Sequence, residues 1–238
     1  MASLPPLKPR MTDVRITLAH PDMSMLAERD IPFTRVLEER RSLRRHDGRA
    51  ITVEQLGEFL YRVAGDRPSP REQPRADDTR DGRNDDPRFR VYPGGGACHP
   101  LEIYPVVGQC VGLEPGVYRY DPATHELEVL PVPMGAVQHL LRTTAVPMEG
   151  GGAPQMLLVL TARFRRLSWK YEGNAYALLL QEVGAVYQTM YLVATAMRLA
   201  PCAVGGGDAA WFANVIGTDP LEEASVGSFV LGRSVTPR

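Results

Sequence analysis

Apolar residues are densest between Ala175 and Leu199, where they fall on nearly every face of a predicted helix. Polar residues return only at Gln181/Glu182, Gln188/Thr189 and Thr195, about seven apart, and so mark one narrow stripe. A helix this apolar is expected to be buried on most sides, in a large core or at a subunit interface. At about 1.5 Å per residue it runs roughly 35 Å. Gln181, Glu182, Gln188 and Arg198 interrupt it well short of the ~18 apolar residues that a membrane span needs. Pro201 is expected to stop it, and Gly205-Gly206-Gly207-Asp208 then lets the backbone pass close to something flat or anionic. With Lys170-Tyr171 just ahead of the helix and the glycines just after it, this stretch reads as the spine of a cofactor site.

Elsewhere the pattern alternates between the two periods. Residues 1–30 carry Pro5, Pro6 and Pro9 and are too broken for a predicted element; they read as an arm lying on another subunit or on the main body. From Pro32 a helix places Phe33, Val36 and Leu37 on one face and ends near the turn dipeptide Asp47-Gly48. A second helix starts at Thr52, whose hydroxyl makes a capping box with Gln55, and stops at Gly65. Residues 66–90 set seven arginines against seven acidic residues around several prolines, a polar, neutral stretch expected to be a flexible solvated loop. Strands are predicted at Leu101–Val107, Gly116–Tyr120 and Glu126–Leu130, the last two joined as a hairpin through Asp121-Pro122. A short helix follows at Gln138–Arg142, a central strand at Gln155–Thr161 and a C-terminal strand at Gly227–Gly232. Strands and helices around one long helix make an α+β chain with one sheet, a single domain over 31–238 behind the arm.

Composition narrows the function classes. A net charge of -1 offers no field for nucleic acid or an anionic membrane. Cys98, Cys110 and Cys202 are odd in number and form no C-x-x-C pair, which argues for a reducing compartment and against a disulfide framework or zinc knuckle. No basic segment followed by an apolar run opens the chain, so a cytoplasmic location is expected. His20, His46, His99, His125 and His139 show no metal-ligand spacing. The chain lacks G-x-S-x-G, P-loop and G-x-G-x-x-G signatures, which removes hydrolase and Rossmann readings. What remains is Arg40, Arg41, Ser42, Arg44 and Arg45, placed at a predicted helix C-terminus and suited to a phosphate or the edge of a heterocycle. A solvated basic patch is the competing reading. Gly94-Gly95-Gly96 is a loop whose amides can face a ligand.

Arg40 to Arg44, Pro93 to Tyr104 (PGGGACHPLEIY) and Gly116 to Pro122 (GVYRYDP), in this order and spacing, resemble the nitroreductase-fold flavoproteins. Within them the chain looks most like the SagB-type azoline dehydrogenases, which oxidise thiazolines and oxazolines in peptide natural products. The likeness runs from about Phe33 to Arg233, and the Lys170-Tyr171 pair sharpens it. It implies a mostly antiparallel sheet flanked by helices, an intertwined homodimer with the long helix in its interface, and FMN bound across that interface. By position, Arg40, Arg41, Ser42 and Arg44 would hold the phosphate, ribityl and pyrimidine edge, Gly94, Gly95 and Gly96 would face the cofactor, Gly205 and Gly206 would lie against the flavin ring, and Arg233 would be a further phosphate partner. Serine is usual in the family where this chain has Gly94, so a side-chain hydrogen bond to the cofactor would be missing or replaced by backbone.

Aromatising an azoline removes a proton from one ring carbon and a hydride from its neighbour. That chemistry needs a base and nearby cations; Tyr171 beside Lys170 is the candidate pair. Neighbouring side chains on a regular element do not face one ligand, so Trp169–Gly173 is expected to be irregular. A peptide or carrier-bound azoline as substrate, oxygen as final acceptor and a heterocyclase partner complete the expectation. Two alternatives stay open: an NAD(P)H-dependent nitro or quinone reductase on the same fold, and a flavin-free scaffold subunit of a heterocyclase.

Overall fold

The computed structural model describes residues 4–68, 88–148 and 152–235. In chain order the elements are β1 (Arg15–Thr17), α1 (Met23–Arg29), α2 (Phe33–Glu39), α3 (Val53–Ala64), β2 (Arg67–Pro68), β3 (Arg88–Phe89), β4 (Leu101–Val107), β5 (Gly116–Asp121) and β6 (Glu126–Leu130). There follow α4 (Met134–Ala145), β7 (Met156–Arg163), α5 (Arg165–Tyr171), α6 (Ala175–Ala196), β8 (Leu199–Val204), α7 (Ala209–Ile216) and β9 (Glu223–Arg233). Seven strands form one sheet in the order β1-β6-β5-β4-β7-β9-β8, with every neighbouring pair antiparallel. Of the charged stretch 66–90, residues 69–87 lie outside the described residues, and β2 pairs with β3 on either side of them.

The period of two explains how the sheet is filled. In β4, Leu101, Ile103 and Val107 join the core under α3 and α6, while Tyr104 and Val106 join the core under α4 and α7. β7 divides the same way, Met156, Leu158 and Leu160 against Leu157 and Val159, so both faces of the central strands are buried. α3 begins as expected: Thr52 Oγ1 accepts from the Gln55 amide and Gln55 Oε1 accepts from the Thr52 amide, a cap worth about 1 kcal/mol.

Toward one end of the sheet the core becomes ionic. Arg119, 1% exposed, donates to Glu128 at 2.6 and 2.9 Å and to Glu102 at 3.1 Å. Arg163 reaches Glu102 and the Pro6 carbonyl through one terminal nitrogen and the Pro5 carbonyl through the other, while Lys8 bonds Glu223 and the Tyr104 hydroxyl. The N-terminal arm is thereby fixed to the body of its own chain, and it also supplies β1 and α1, which its prolines hide from a sequence reading.

Three sequence expectations need correction. The helix from Phe33 ends at Glu39, not near Asp47, because Arg40 turns extended and the Leu43 amide bonds the Pro201 carbonyl on β8. The long helix ends at Ala196; Arg198 takes a left-handed φ of 56°, and Pro201 sits inside β8, an edge strand where its missing amide costs no ladder bond. Nor is α6 buried all round within one chain, since only eight of its 22 residues are buried and Tyr176 and Leu180 are exposed.

Replacing Arg119 with methionine leaves two buried carboxylates facing each other. A loss of about 3–5 kcal/mol is expected in urea unfolding, whereas Arg35→Met on the exposed face of α2 should cost under about 1 kcal/mol; equal losses would show that the ionic core is not structural.

Candidate functional site

Two groups of candidate residues are assembled, and α6 carries both. The first lies along the outer edge of β8. Beyond α2 the chain runs from Arg40 to His46 beside that edge, tied by Leu43 to Pro201 and by the bridge of His46 to Ser234. The Ser42 Oγ is 2.7 Å from the Tyr191 hydroxyl, which also accepts the Ala203 amide at 2.7 Å; the Arg40 guanidinium stacks over the same ring at 5.1 Å. Arg40, Arg41 and Arg44 have no carboxylate partner among the described residues. Arg233, at the end of β9, donates its amide to Gln155 and keeps its guanidinium 4.0 Å from Asp47. At the opposite end of β8 come Gly205, Gly206 and Gly207, all exposed, with φ of 103° and 126° at the last two and no atom within 4 Å of where a Cβ would be. The six residues of β8 separate Arg233 from Gly205 by about 20 Å. This edge therefore offers a cluster of cations at one end and bare backbone at the other, a shape that fits an elongated ligand with a phosphate and a flat ring such as FMN.

The second group surrounds the glycine loop. Gly94 is extended, Gly95–Ala97 make a single 3-10 turn, and Gly96, Ala97 and His99 all have positive φ (57°, 55° and 44°). Two non-glycine residues in the left-handed region within three positions store strain, which persists only where surroundings over-determine the backbone. Those surroundings are specific. A Cβ on Gly96 would collide with the Tyr171 hydroxyl and stand 3.3 Å from Lys170 Nζ. One on Gly95 would stand 3.2 Å from Leu167, and one on Gly94 3.0 Å from both carboxyl oxygens of Glu182. Arg166 holds the loop from behind, donating twice to the Cys98 carbonyl.

Lys170 and Tyr171 close the last turn of α5, and the next residue, Glu172, takes φ 41° and ψ -117° before a 3-10 turn leads into α6. This junction is irregular in the way two neighbouring side chains need if both are to meet one ligand: both reach Gly96, with Nζ 5.6 Å from the Tyr171 ring centroid. His99 packs its ring edge-on to Tyr92, and burial, with Arg90 and Arg166 close by, pushes it down to about 3, so it is neutral. The histidines gather no metal site among the described residues.

Sequence reasoning missed Glu182. It is 3% exposed; one carboxyl oxygen accepts the Gly95 amide at 3.2 Å and the other is buried with no partner. Burial pushes its carboxyl up to about 7. The available signal was a carboxylate inside an apolar helix, which must be buried and functional or turned to solvent.

With fold and site in view, the class is defined: the chain belongs to the nitroreductase family, matching it over residues 37–233. Among particular relatives, it is 29% identical over 177 residues to MJ1384 of Methanocaldococcus jannaschii, a protein named only provisionally as a nitroreductase, covering 74% of this chain and 79% of that one. It is 27% identical to the trifolitoxin-processing protein TfxB of Rhizobium leguminosarum bv. trifolii (60% of this chain) and 33% identical to the microcin B17-processing protein McbC of Escherichia coli (46% of this chain). The chain spans only 39% and 42% of those two proteins. Among solved structures, the E. coli microcin synthetase McbBCD complex, with truncated pro-MccB17 bound, contains a chain of the same fold (TM-score 0.63, 23% identity, 84% of this chain and 70% of that one). A Desulfovibrio desulfuricans structure of the fold holds FMN (TM-score 0.54, 14% identity, 88% and 92% coverage). No helix among the described residues is long and apolar enough to cross a membrane.

Gly96→Ala forces a methyl into the Tyr171 hydroxyl at a left-handed position and should cost about 1–3 kcal/mol. In a Tyr171→Phe background part of that cost should vanish in a double-mutant cycle; strict additivity would show that loop and phenol are not in contact.

Proposed function

We propose that this chain is an FMN-dependent dehydrogenase that oxidises a thiazoline or oxazoline, carried on a peptide or carrier protein, to the aromatic ring, and passes the electrons to oxygen. The observation that carries this reading is the pairing of Lys170 and Tyr171 against Gly96. FMN, when bound, supplies the hydride acceptor. Tyr171 would act as its phenolate, taking the ring proton to become the phenol, with the Lys170 ammonium beside it as counter-charge. Arg40, Arg41, Ser42 and Arg44 would hold the FMN phosphate, ribityl and pyrimidine edge, Arg233 would be a further phosphate partner, and Gly205 and Gly206 would present bare backbone to its ring. The printed names of TfxB and McbC, both processing proteins for peptide products, support a peptide substrate, and the McbBCD complex supports a heterocyclase partner.

We further place the cofactor between two copies of the chain. Glu182, beside the glycine loop, and Tyr191, beside Ser42, are nine residues apart on α6, about 13 Å along its axis. Phe33 and Leu37 on α2 and Tyr176 and Leu180 on α6 are 44–65% exposed, an apolar surface that a second copy would cover. Two α6 helices packed antiparallel bring the loop group of one chain toward the β8 edge of the other. Leu180→Glu should then yield a monomer in sedimentation and lose FMN; a monomeric wild type that binds FMN would overturn this arrangement.

The decisive experiment follows the flavin band anaerobically after adding a thiazoline-containing peptide to one sample and NADPH to another. Bleaching by the thiazoline alone is expected, with Tyr171→Phe keeping FMN but slowing reduction about 10²–10⁴-fold. Bleaching by NADPH alone would replace this reading with a reductase, and a chain that takes up no FMN would leave the scaffold role.

A further inference from the structure

We propose that Glu182 is the positioning residue of the Gly94–Gly96 loop, one carboxyl oxygen holding the Gly95 amide and the other filling the place where a side chain on residue 94 would sit. The inference builds on the reading of this loop as part of the cofactor site. It rests on three structural features: a carboxyl that is 3% exposed, an Oε1 with no partner, and a glycine at 94 whose Cβ would stand 3.0 Å from both oxygens. Glycine at 94 thus fits closely over the helix beneath the loop, where a Cβ would make the carboxyl give by a few tenths of an ångström. A serine there would press its own side chain into the carboxyl rather than reach a ligand, so the hydrogen bonding that residue 94 lacks is taken over by Glu182 acting through the Gly95 amide.

The charge on Glu182 changes what the loop presents. An ionised carboxylate takes the Gly95 N–H in a charge-assisted bond and draws it inward; the neutral acid holds it weakly and leaves it available to a ligand. The groups facing Glu182 are few. Arg90 and Tyr92 lie on the segment leading into the loop, and Lys170 and Tyr171 flank its far end on α5. α3 turns Leu56, Phe59, Leu60 and Val63 inward, and β9 meets the next turn of α6 through Gly227 against Val183 and Tyr187. Burial outweighs the Gly95 amide and Arg90, which favour the ionised form, and holds the carboxyl at about 7. The folded chain therefore binds a proton that the unfolded chain releases above 4.5. Stability falls as pH rises from about 4.5 to about 7 and stays lowered above that. A cofactor that carries phosphate is favoured by the neutral acid, so its affinity falls as pH rises through 7.

The test uses the full chain. Amide NMR between pH 5.5 and 8.5, without cofactor, should show the Gly95 resonance titrating near pH 7, and Glu182→Gln should abolish that titration. Glu182→Gln should also melt above wild type at pH 8 and near it at pH 5. FMN affinity, read by fluorescence quenching, should fall between pH 6 and 8 by about fivefold more in wild type than in Glu182→Gln, which carries the same phosphate titration. A Gly95 amide that is silent in wild type, or that titrates alike in both proteins, overturns the proposal. Absence of FMN binding in both proteins with Gly95 still following Glu182 would leave the loop's positioning intact and remove the FMN reading.

Discussion

The seating of α6 on the sheet is the constraint on which the candidate site depends. Two phenols one turn apart fix it: the Tyr187 hydroxyl accepts the Ser228 amide at 2.6 Å and the Tyr191 hydroxyl accepts the Ala203 amide at 2.7 Å. Both amides would otherwise be left without partners where the β7–β9 pairing shifts register and along the free edge of β8. Hydrogen bonds of this kind contribute about 1 kcal/mol each, but an unmade one in a buried setting costs more. The helix therefore cannot slide or rotate without orphaning backbone donors. Phe229 packs against both rings, and Gly227 is glycine because the Tyr187 hydroxyl stands where its Cβ would be. With α6 locked, Ser42 is located by Tyr191 and the glycine loop by Glu182.

Much of the scaffold was legible in the sequence, and the reasons are local. The boundaries of β4 and β6 and the start of α3 follow from short apolar runs and a capping box, signals that survive whatever packs on them. The misses arose where tertiary bonds overruled continuity of pattern. Arg40 to Arg45 are good helix formers following a helix, yet Leu43 is drawn to Pro201 and the chain extends. The apolar residues of β8 ran on from those of α6, and only the left-handed turn at Arg198 divides them, a conformation that an arginine does not advertise. α7 hid behind three glycines. At the site, the family resemblance points to Lys170 and Tyr171 and the residue types to the two glycine runs, but Glu182 falls in a polar stripe, because sequence does not say which face of an apolar helix lies under a loop.

The two halves of the site meet different physical demands. Along β8 the Arg41 and Arg44 guanidiniums are exposed and have no carboxylate partner among the described residues, which costs little in water and leaves them free for an anion. The glycine loop is the reverse: strained, half-buried at Gly94 and Gly95, and held from three sides. Holding a backbone in such a conformation requires contacts that act even before a ligand arrives, and Tyr171, Leu167 and Glu182 supply them at successive glycines. A loop fixed in this way spends none of a ligand's binding energy on ordering itself.

That rigidity extends to the arm at Leu4 to Pro6. Arg166 donates through Nε and one terminal nitrogen to the Cys98 carbonyl at the end of the loop, and through the other to the Leu4 carbonyl at 2.8 Å. Arg163 continues the line to Pro5 and Pro6, and from there through Glu102 to Arg119 in the ionic core. The prolines that conceal the arm from a sequence reading suit this role, since they hold the segment extended and leave its carbonyls free to accept from arginine. A single guanidinium thus joins arm and loop, and the strain at Ala97 and His99 is borne by the ionic core of the sheet as well as by the helix above it.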